Sequence, residues 1–545
     1  MIAHADLVIT GVDVFTVDAA RRWANGLAIR GDRIVAVAAR DDDLSDLIGP
    51  STERLHLPGR TVVPGFQDAH VHPAFAGRNL LRVHLDDLGS RREIFDAIGT
   101  YAREHPDEPW ILGGGWAMAL FPDGLPSAAE LDAVVPDRPA FLMNRDVHSG
   151  WANSKALAIA GIDTSTPDPW DGRIERDRTT GDPTGALHEG AAYDVWERVV
   201  PATTPEEWRE AILVAQRHLH ALGVTGWQDA WVRPDLLRAY RDLDDAGELT
   251  ARVSAALWWD RHLGLAQIDT FVEQRAWGEG GQVRARTVKI MTDGVAETCT
   301  AAMLEPYLGA DGVTTDERGR PYLDAEPLTE AVTALDAAGF QVHMHAIGDR
   351  AVRQALDAVE AARRANGPND RRHHVAHLQF VAPEDVPRFR RLDVVANVQA
   401  LWACHDAQVD ALTIPQIGEK RAARMYPFGE LRRSGATLAM GSDWGVSSPD
   451  PLLQMEVAVT RTDPSDRDGR PLDAGQALDL PTALAAFTRG SAYVDHDDEA
   501  GTIEPGKRAD LAVLDRNPFE REAGPIGEVR VELTIAGGRV VHRRS

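Results

Sequence analysis

The chain has 545 residues, 43% hydrophobic and 26% charged, and its 84 acidic against 58 basic side chains give a net charge of −26. That length predicts roughly two or three domains, and the near-average composition excludes disordered or low-complexity architecture. The acidity repels phosphate backbones and excludes a nucleic-acid partner, while two distant cysteines, Cys299 and Cys404, cannot build a disulfide framework or a thiolate zinc cluster.

Residues 1–6 run straight into strand-like sequence without a basic start and an apolar signal core. No apolar run reaches the ~18 residues of a membrane span, so a cytoplasmic protein without membrane contact is expected. Residues 7–10, 12–17 and 31–37 are β-rich, and residues 510–515 and 533–541 repeat that texture at the other end. Neither end alone has enough strands to bury a core. The two are therefore expected to pair into one small sheet domain, residues 1–60 with 486–545, rather than form two unrelated appendages. The acidic runs 41–43 and 495–499 are expected to be solvated faces or turns.

Between the ends, strand and helix alternate. Eight candidate strands follow in order at residues 61–72, 223–231, 252–259, 287–293, 341–346, 374–380, 394–402 and 437–443. Leu328, Val332 and Leu335 fall at i, i+4 and i+7 ahead of the fifth strand, and a helical segment, 351–364, follows it. Such alternation implies parallel strands with helices outside them. Eight units predict an α/β protein with a (β/α)₈ TIM barrel over residues 61–485. The gap between the first two strands is far too long for one βα connection. It is expected to hold an inserted α+β subdomain, at about residues 77–220, lying over the barrel mouth and shaping the pocket.

The strongest chemical signal is Pro64-Gly65-Phe66-Gln67-Asp68-Ala69-His70-Val71-His72. Side chains at i and i+2 of a strand share a face, so His70 and His72 can reach one point at the strand's C-terminal end. A bare His-X-His is more often structural, but later strands carry matching residues: Lys289 in the fourth, His345 in the fifth, His377 in the sixth and Asp443 closing the eighth. Lys289 lies in an apolar strand, where an unpaired ammonium is costly and tends to lose its proton. It either pairs with a carboxylate such as Asp293 or reacts as a neutral amine with carbon dioxide, giving a carbamate; in this company the carbamate is expected.

This set, His70-Val71-His72 with Lys289, His345, His377 and Asp443, resembles the metal-dependent amidohydrolase superfamily over nearly the whole chain. Residues 500–511, Ala-Gly-Thr-Ile-Glu-Pro-Gly-Lys-Arg-Ala-Asp-Leu, add to the resemblance. Gly113-Gly114-Gly115-Trp116, Asp146-Val147-His148-Ser149, His345-Ala346-Ile347-Gly348-Asp349-Arg350 and Gly441-Ser442-Asp443-Trp444 are similar to the YtcJ-like branch, which includes N-substituted formamide deformylase. The resemblance implies a β-sandwich split between the termini. It also implies a binuclear centre with His70, His72 and Asp443 on one metal, His345 and His377 on the other, and carboxylated Lys289 bridging. One or two Zn²⁺ ions fit imidazole ligands best, with Mn²⁺, Fe²⁺ or Co²⁺ as alternatives. Such a centre generates a nucleophile from water at neutral pH and polarises a carbonyl, and Asp443 would act as general base and then general acid.

Neighbouring residues compete for these roles. His343 shares the face of His345 one pleat deeper and is expected to be a supporting or core residue; His373 and His374 are not expected to be ligands. His148 and His188 fall in the insertion, where a structural role competes with substrate contact. Trp116, Trp402 and Trp444 lie beside the proposed site in sequence and, with His148, are candidate substrate contacts. Gly113-Gly114-Gly115 lacks the Gly-Lys-Ser/Thr ending of a phosphate loop. The expected function is hydrolysis of a non-peptide C–N bond in a small amide. Alternatives are an ester or C–C reaction on the same fold, including decarboxylation or isomerisation, and a catalytically dead scaffold, which a complete ligand set argues against. A homodimer is expected by analogy.

Overall fold

The computed structural model describes residues 4–86, 88–309 and 311–544, together with the backbone but not the side chains of Asp41 and Asp42. The chain start at residues 1–3 and the side chains of Asp41 and Asp42 in the first acidic run lie outside the described residues.

Eight parallel strands form the central sheet: Phe66–Val71 (β1), Val224–Val232 (β2), Arg252–Trp258 (β3), Val283–Met291 (β4), Gln341–Ala346 (β5), His374–His377 (β6), Val395–Val398 (β7) and Leu438–Met440 (β8). They pair in sequence order from β1 to β8. Asp443 N–H then donates to His70 O at 2.7 Å and His72 N–H to Trp444 O at 2.9 Å, which brings the segment after β8 back onto β1 and closes the TIM barrel. Alternate residues explain the layering. Val288, Ile290, Val342, Met344 and Val375 point outward into one core shared with the helices. Thr287, Lys289, Gln341 and His343 belong to the opposite set, facing the barrel interior. There Gln341 Oε1 accepts from Thr287 Oγ1 at 2.6 Å and from Gln228 Nε2 at 3.4 Å, a polar floor beneath the histidines.

The outer helices follow from amphipathic stripes and caps. Helix Ala325–Ala337 buries Leu328, Val332 and Leu335, and Asp349–Asn366 packs beside it. Helix Pro205–Ala221 starts with Pro at its first position and a capping box between Thr204 and Glu207. Its Ile212, Ala215 and Leu219 join the barrel core, so this helix belongs to the outer ring rather than to the insertion expected at 77–220. The insertion proper is a mixed six-stranded sheet running from Val83–His84 to Pro183–Glu189, with its own helices and core.

Both chain ends build one seven-stranded sheet, ordered Arg539–Arg543, Val531–Ala536, Leu511–Leu514, Glu53–Pro64, Leu7–Phe15, Trp23–Arg30 and Arg33–Ala38. Leu7, Ile9, Leu27 and Ile34 from the first end pack with Leu511, Val513, Leu533 and Ile535 from the other, the core of the split β-sandwich. The run 61–72 is therefore two strands, divided at Gly65. Its first residues end the middle strand of the terminal sheet, and the barrel starts at Phe66 rather than at residue 61. At the other boundary, helix Ser491–Val494 packs on β1 and β8, so the barrel's supporting structure extends past residue 485.

The second acidic run lies in turns as expected, with Asp498 and Glu499 exposed, but Asp495 and Asp497 are buried. Asp495 accepts from Gln228 Nε2 at 3.0 Å, and Asp497 Oδ2 lies 2.6 Å from Arg252 Nε, whose Nη2 meets Asp510 Oδ2 at 2.5 Å. These buried pairs join the barrel floor to the terminal sheet, because Gln228 and Arg252 arrive from distant strands and supply the partners. Among the described residues, no helix is long and apolar enough to cross a membrane.

Candidate metal centre

All six proposed ligands meet in one cavity at the C-terminal ends of the strands. The rings of His70 and His72 are 5.3 Å apart between centroids. The β1–β8 seam sets Asp443 Oδ1 3.4 Å from His70 Nε2 and 3.1 Å from His72 Nε2. These three residues offer ligand atoms that all lie within 4.8 Å of one another. His377 Nδ1 is 3.8 Å from Asp443 Oδ2, and its ring lies 4.7 Å from that of His70 and 4.5 Å from that of His345. Lys289 Nζ reaches 3.5 Å from His70 Nε2.

The backbone is bent to achieve this. His377 and Asp443 both adopt left-handed conformations, with φ of 79° and 54°. Each such non-glycine residue costs about 1–3 kcal/mol and persists only where its surroundings impose it. Gly441 lets β8 approach β1, since a Cβ there would stand 2.5 Å from the backbone nitrogen of His70. Asp68 locks the same seam from inside, its Oδ1 accepting from the backbone N–H groups of His70 at 3.1 Å and Ser442 at 3.0 Å.

The electrostatics suit cation ligands, which must present lone pairs rather than protons. Burial drives the His70 imidazole down to about 3, helped by the Lys289 charge, and likewise pushes His345 and His377 well below the usual histidine range. Burial raises the Asp443 carboxyl, but the adjacent His70 and His72 outweigh it and hold the group well below the ordinary carboxylate range. Asp443 Oδ1, His72 Nδ1 and His377 Nδ1 are buried without a well-formed hydrogen bond, which is expensive for polar atoms unless something else satisfies them. The donor set therefore fits a metal ion.

Lys289 is not paired with Asp293. That carboxylate accepts instead from the backbone N–H groups of Ile347 at 3.0 Å and of Gly348 and Ala302 at 2.9 Å, tying the loops after β4 and β5 together. Desolvation brings the Lys289 amine down to about 7, against the opposing pull of the Asp443 charge.

His343 has the supporting place expected of it. Its Nε2 lies 2.9 Å from His70 Nδ1. A His70 Nδ1–H donating to it leaves the Nε2 lone pair directed toward Asp443, the tautomer a ligand needs. Replacing His343 with Ala is expected to lower metal affinity by roughly 10–100-fold with the fold retained, checked by chelator competition and thermal melting. His374 is one step further out, its Nδ1 3.1 Å from Asn397 Nδ2, and His373 pairs with Asp336 at 3.0 Å. His188 lies within the insertion, 2.7 Å from Ser149 Oγ.

Three of the four candidate substrate contacts line the space around the centre. Trp402 stacks on His377 with ring planes 3° apart at 5.1 Å, and His148 reaches the metal cavity with its ring 5.6 Å from His345. Trp444 lines a wider adjoining cavity of ≈ 400 Å³ and stacks on His218. Trp116 does not belong here: it is fully buried in the insertion's own core against Phe121 and Trp151, and its indole N–H donates to Leu142 O at 3.0 Å. Sequence reasoning missed Trp231 and Trp258, stacked 4.6 Å apart, which with Phe75 and Tyr193 make an aromatic wall facing the ligands. The available signal was their position at the C-terminal ends of β2 and β3.

A barrel of this topology with inward histidines and a carboxylate gathered at its mouth defines the metal-dependent hydrolase class. The chain matches the Amidohydrolase family over residues 56–542 and belongs to it. It is 32% identical to Protein LONG AFTER FAR-RED 3 of Arabidopsis thaliana, over 99% of this chain and 92% of the relative. It is 28% identical to N-substituted formamide deformylase of Arthrobacter pascens over 99% of each chain. Among solved structures it is similar to an uncharacterized metal-dependent hydrolase from Pyrococcus horikoshii OT3, with a TM-score of 0.74 and 26% identity, over 96% of this chain and 99% of that one.

Proposed function

We propose that this hydrolase cleaves a non-peptide C–N bond of a small amide, with N-substituted formamides as the first class to try. The observation that carries the reading is the convergence of His70, His72, Lys289, His345, His377 and Asp443 on one cavity walled by aromatic side chains. His70, His72 and Asp443 would hold one ion and His345 and His377 a second, with zinc the first choice for imidazole ligands. The ions, when bound, supply Lewis acidity and a water acidic enough to be deprotonated near neutral pH.

The chain's own residues account for the rest. Asp443 stands among the histidines with an unsatisfied oxygen, placed to take a proton from water and return it to the departing amine nitrogen. Trp231, Trp258 and Trp402 exclude water and receive the apolar substituent of the amide. The neutral Lys289 amine can add to carbon dioxide, forming a new C–N bond and releasing one proton, so that an anionic carbamate replaces an isolated buried cation.

Purified protein is expected to contain one to two equivalents of transition metal and, once zinc-loaded, to hydrolyse members of a panel of N-substituted formamides, acylated amino acids and simple esters, formamides fastest. Metal-free protein with full activity would end this mechanism. Faster ester than amide turnover would move the assignment to a C–O bond.

A further inference from the structure

The insertion sends one further polar side chain, His148, into the metal cavity and backs it with Glu189. His148 leaves a loop of that subdomain, is buried, and lines the cavity. Its Nδ1 lies 2.9 Å from Glu189 Oε2, and Glu189 N–H donates to the His148 carbonyl at 2.8 Å, so backbone and side chains close a small ring. The other carboxylate oxygen, Glu189 Oε1, accepts from Thr300 Oγ1 at 2.8 Å, beyond β4. Glu189 holds an unusual backbone conformation, φ 53° and ψ −124°, of the kind glycine tolerates and other residues do not. Gly294 makes room for it, because a Cβ there would come within 2.6 Å of Glu189 Oε1. A strained carboxylate, a glycine cleared for it and a buried imidazole form a built device, and with Nδ1 committed to Glu189 the only polar ring atom left to meet a ligand is His148 Nε2.

We propose that His148 is a catalytic residue whose Nε2 hydrogen-bonds the reacting amide group, and that Glu189 is the positioning residue that fixes its ring. This rests on the proposed amide chemistry of the same cavity, and it adds a contact supplied by the insertion rather than by the barrel. It explains why a subdomain with its own core is placed over the strand ends: the barrel contributes the ligands, the insertion an imidazole nitrogen held toward the same cavity.

The test is calorimetric binding of acetohydroxamic acid, a metal-seeking amide mimic, to the zinc-loaded protein. His148→Ala is expected to weaken binding by about tenfold or more, the worth of one buried hydrogen bond to a charged group, with zinc content and melting temperature unchanged. His148→Gln should recover part of the loss, and it carries the test if the Ala variant folds poorly. Glu189→Gln should weaken binding too, and the His148→Ala/Glu189→Gln double variant should be no weaker than His148→Ala alone, the non-additivity expected of residues acting as a unit. Equal binding by wild type and His148→Ala, or additive losses in the double variant, overturns the proposal; so does a zinc-loaded wild type that does not bind the mimic. Failure of the amide panel with this discrimination intact would remove the choice of substrate and leave the contact standing.

Discussion

Replacing Asp443 with Asn is expected to lower turnover by about 10²–10⁴-fold, the range for loss of a positioned acid–base group, while most of the bound metal is retained. The substitution keeps size and one oxygen, so the seam bond from the residue 443 N–H to His70 O survives, and His70, His72, His345 and His377 still surround the site. What disappears is a carboxylate that the flanking imidazoles hold well below the usual range and that therefore stays ionised as a proton acceptor. Single-turnover kinetics with metal analysis on the same sample separate the two effects. Near-normal turnover in the Asn variant would remove the proton-carrying role; lost metal with lost turnover would show a ligand and nothing more.

Lys289→Ala is expected to cost more than the roughly 100-fold typical of removing an outer partner of a ligand, and to reduce metal content as well. Short carboxylic acids should restore part of both, because the change vacates the volume of one of the largest fully buried side chains and leaves space for a carboxylate in it. The contrast with a structural lysine is sharp. Among the described residues no carboxylate is bound to Lys289, and Asp293, the obvious partner in sequence, is consumed by three backbone donors. Metal content and activity unaffected by Lys289→Ala would return the residue to a packing role.

The barrel and its ligands were legible because each ligand lies on the inward face of a strand whose outward residues are apolar, or, like His72 and Asp443, just past such a strand's C-terminal end. His343 and His345 alternate with Val342 and Met344, and Lys289 alternates with Val288 and Ile290. Features that depend on partners far away in the chain were not. Asp495 and Asp497 sit in an acidic run that looks solvated until Gln228 and Arg252 arrive. Gly65 is the sole mark that 61–72 changes sheets. Trp116 stands in a glycine-rich stretch that resembles an active-site loop, yet its strand, Ile111–Trp116, lies inside the insertion sheet, and alternation alone cannot tell which core a tryptophan fills. Trp231 and Trp258 show the converse, aromatic residues that face a cavity although most tryptophans pack in a core.

The barrel's first and last strands come from positions hundreds of residues apart, and they meet where His70, His72 and Asp443 stand. An ion gripped there would work as a clasp across the join: anything bound by the folded chain and not by the unfolded one makes its opening less favourable. Chelation should then sensitise the protein to proteolysis near that join before it disturbs the remote terminal sheet, and a fragment ending ahead of residue 438 should have no grip on zinc comparable to that of the full chain.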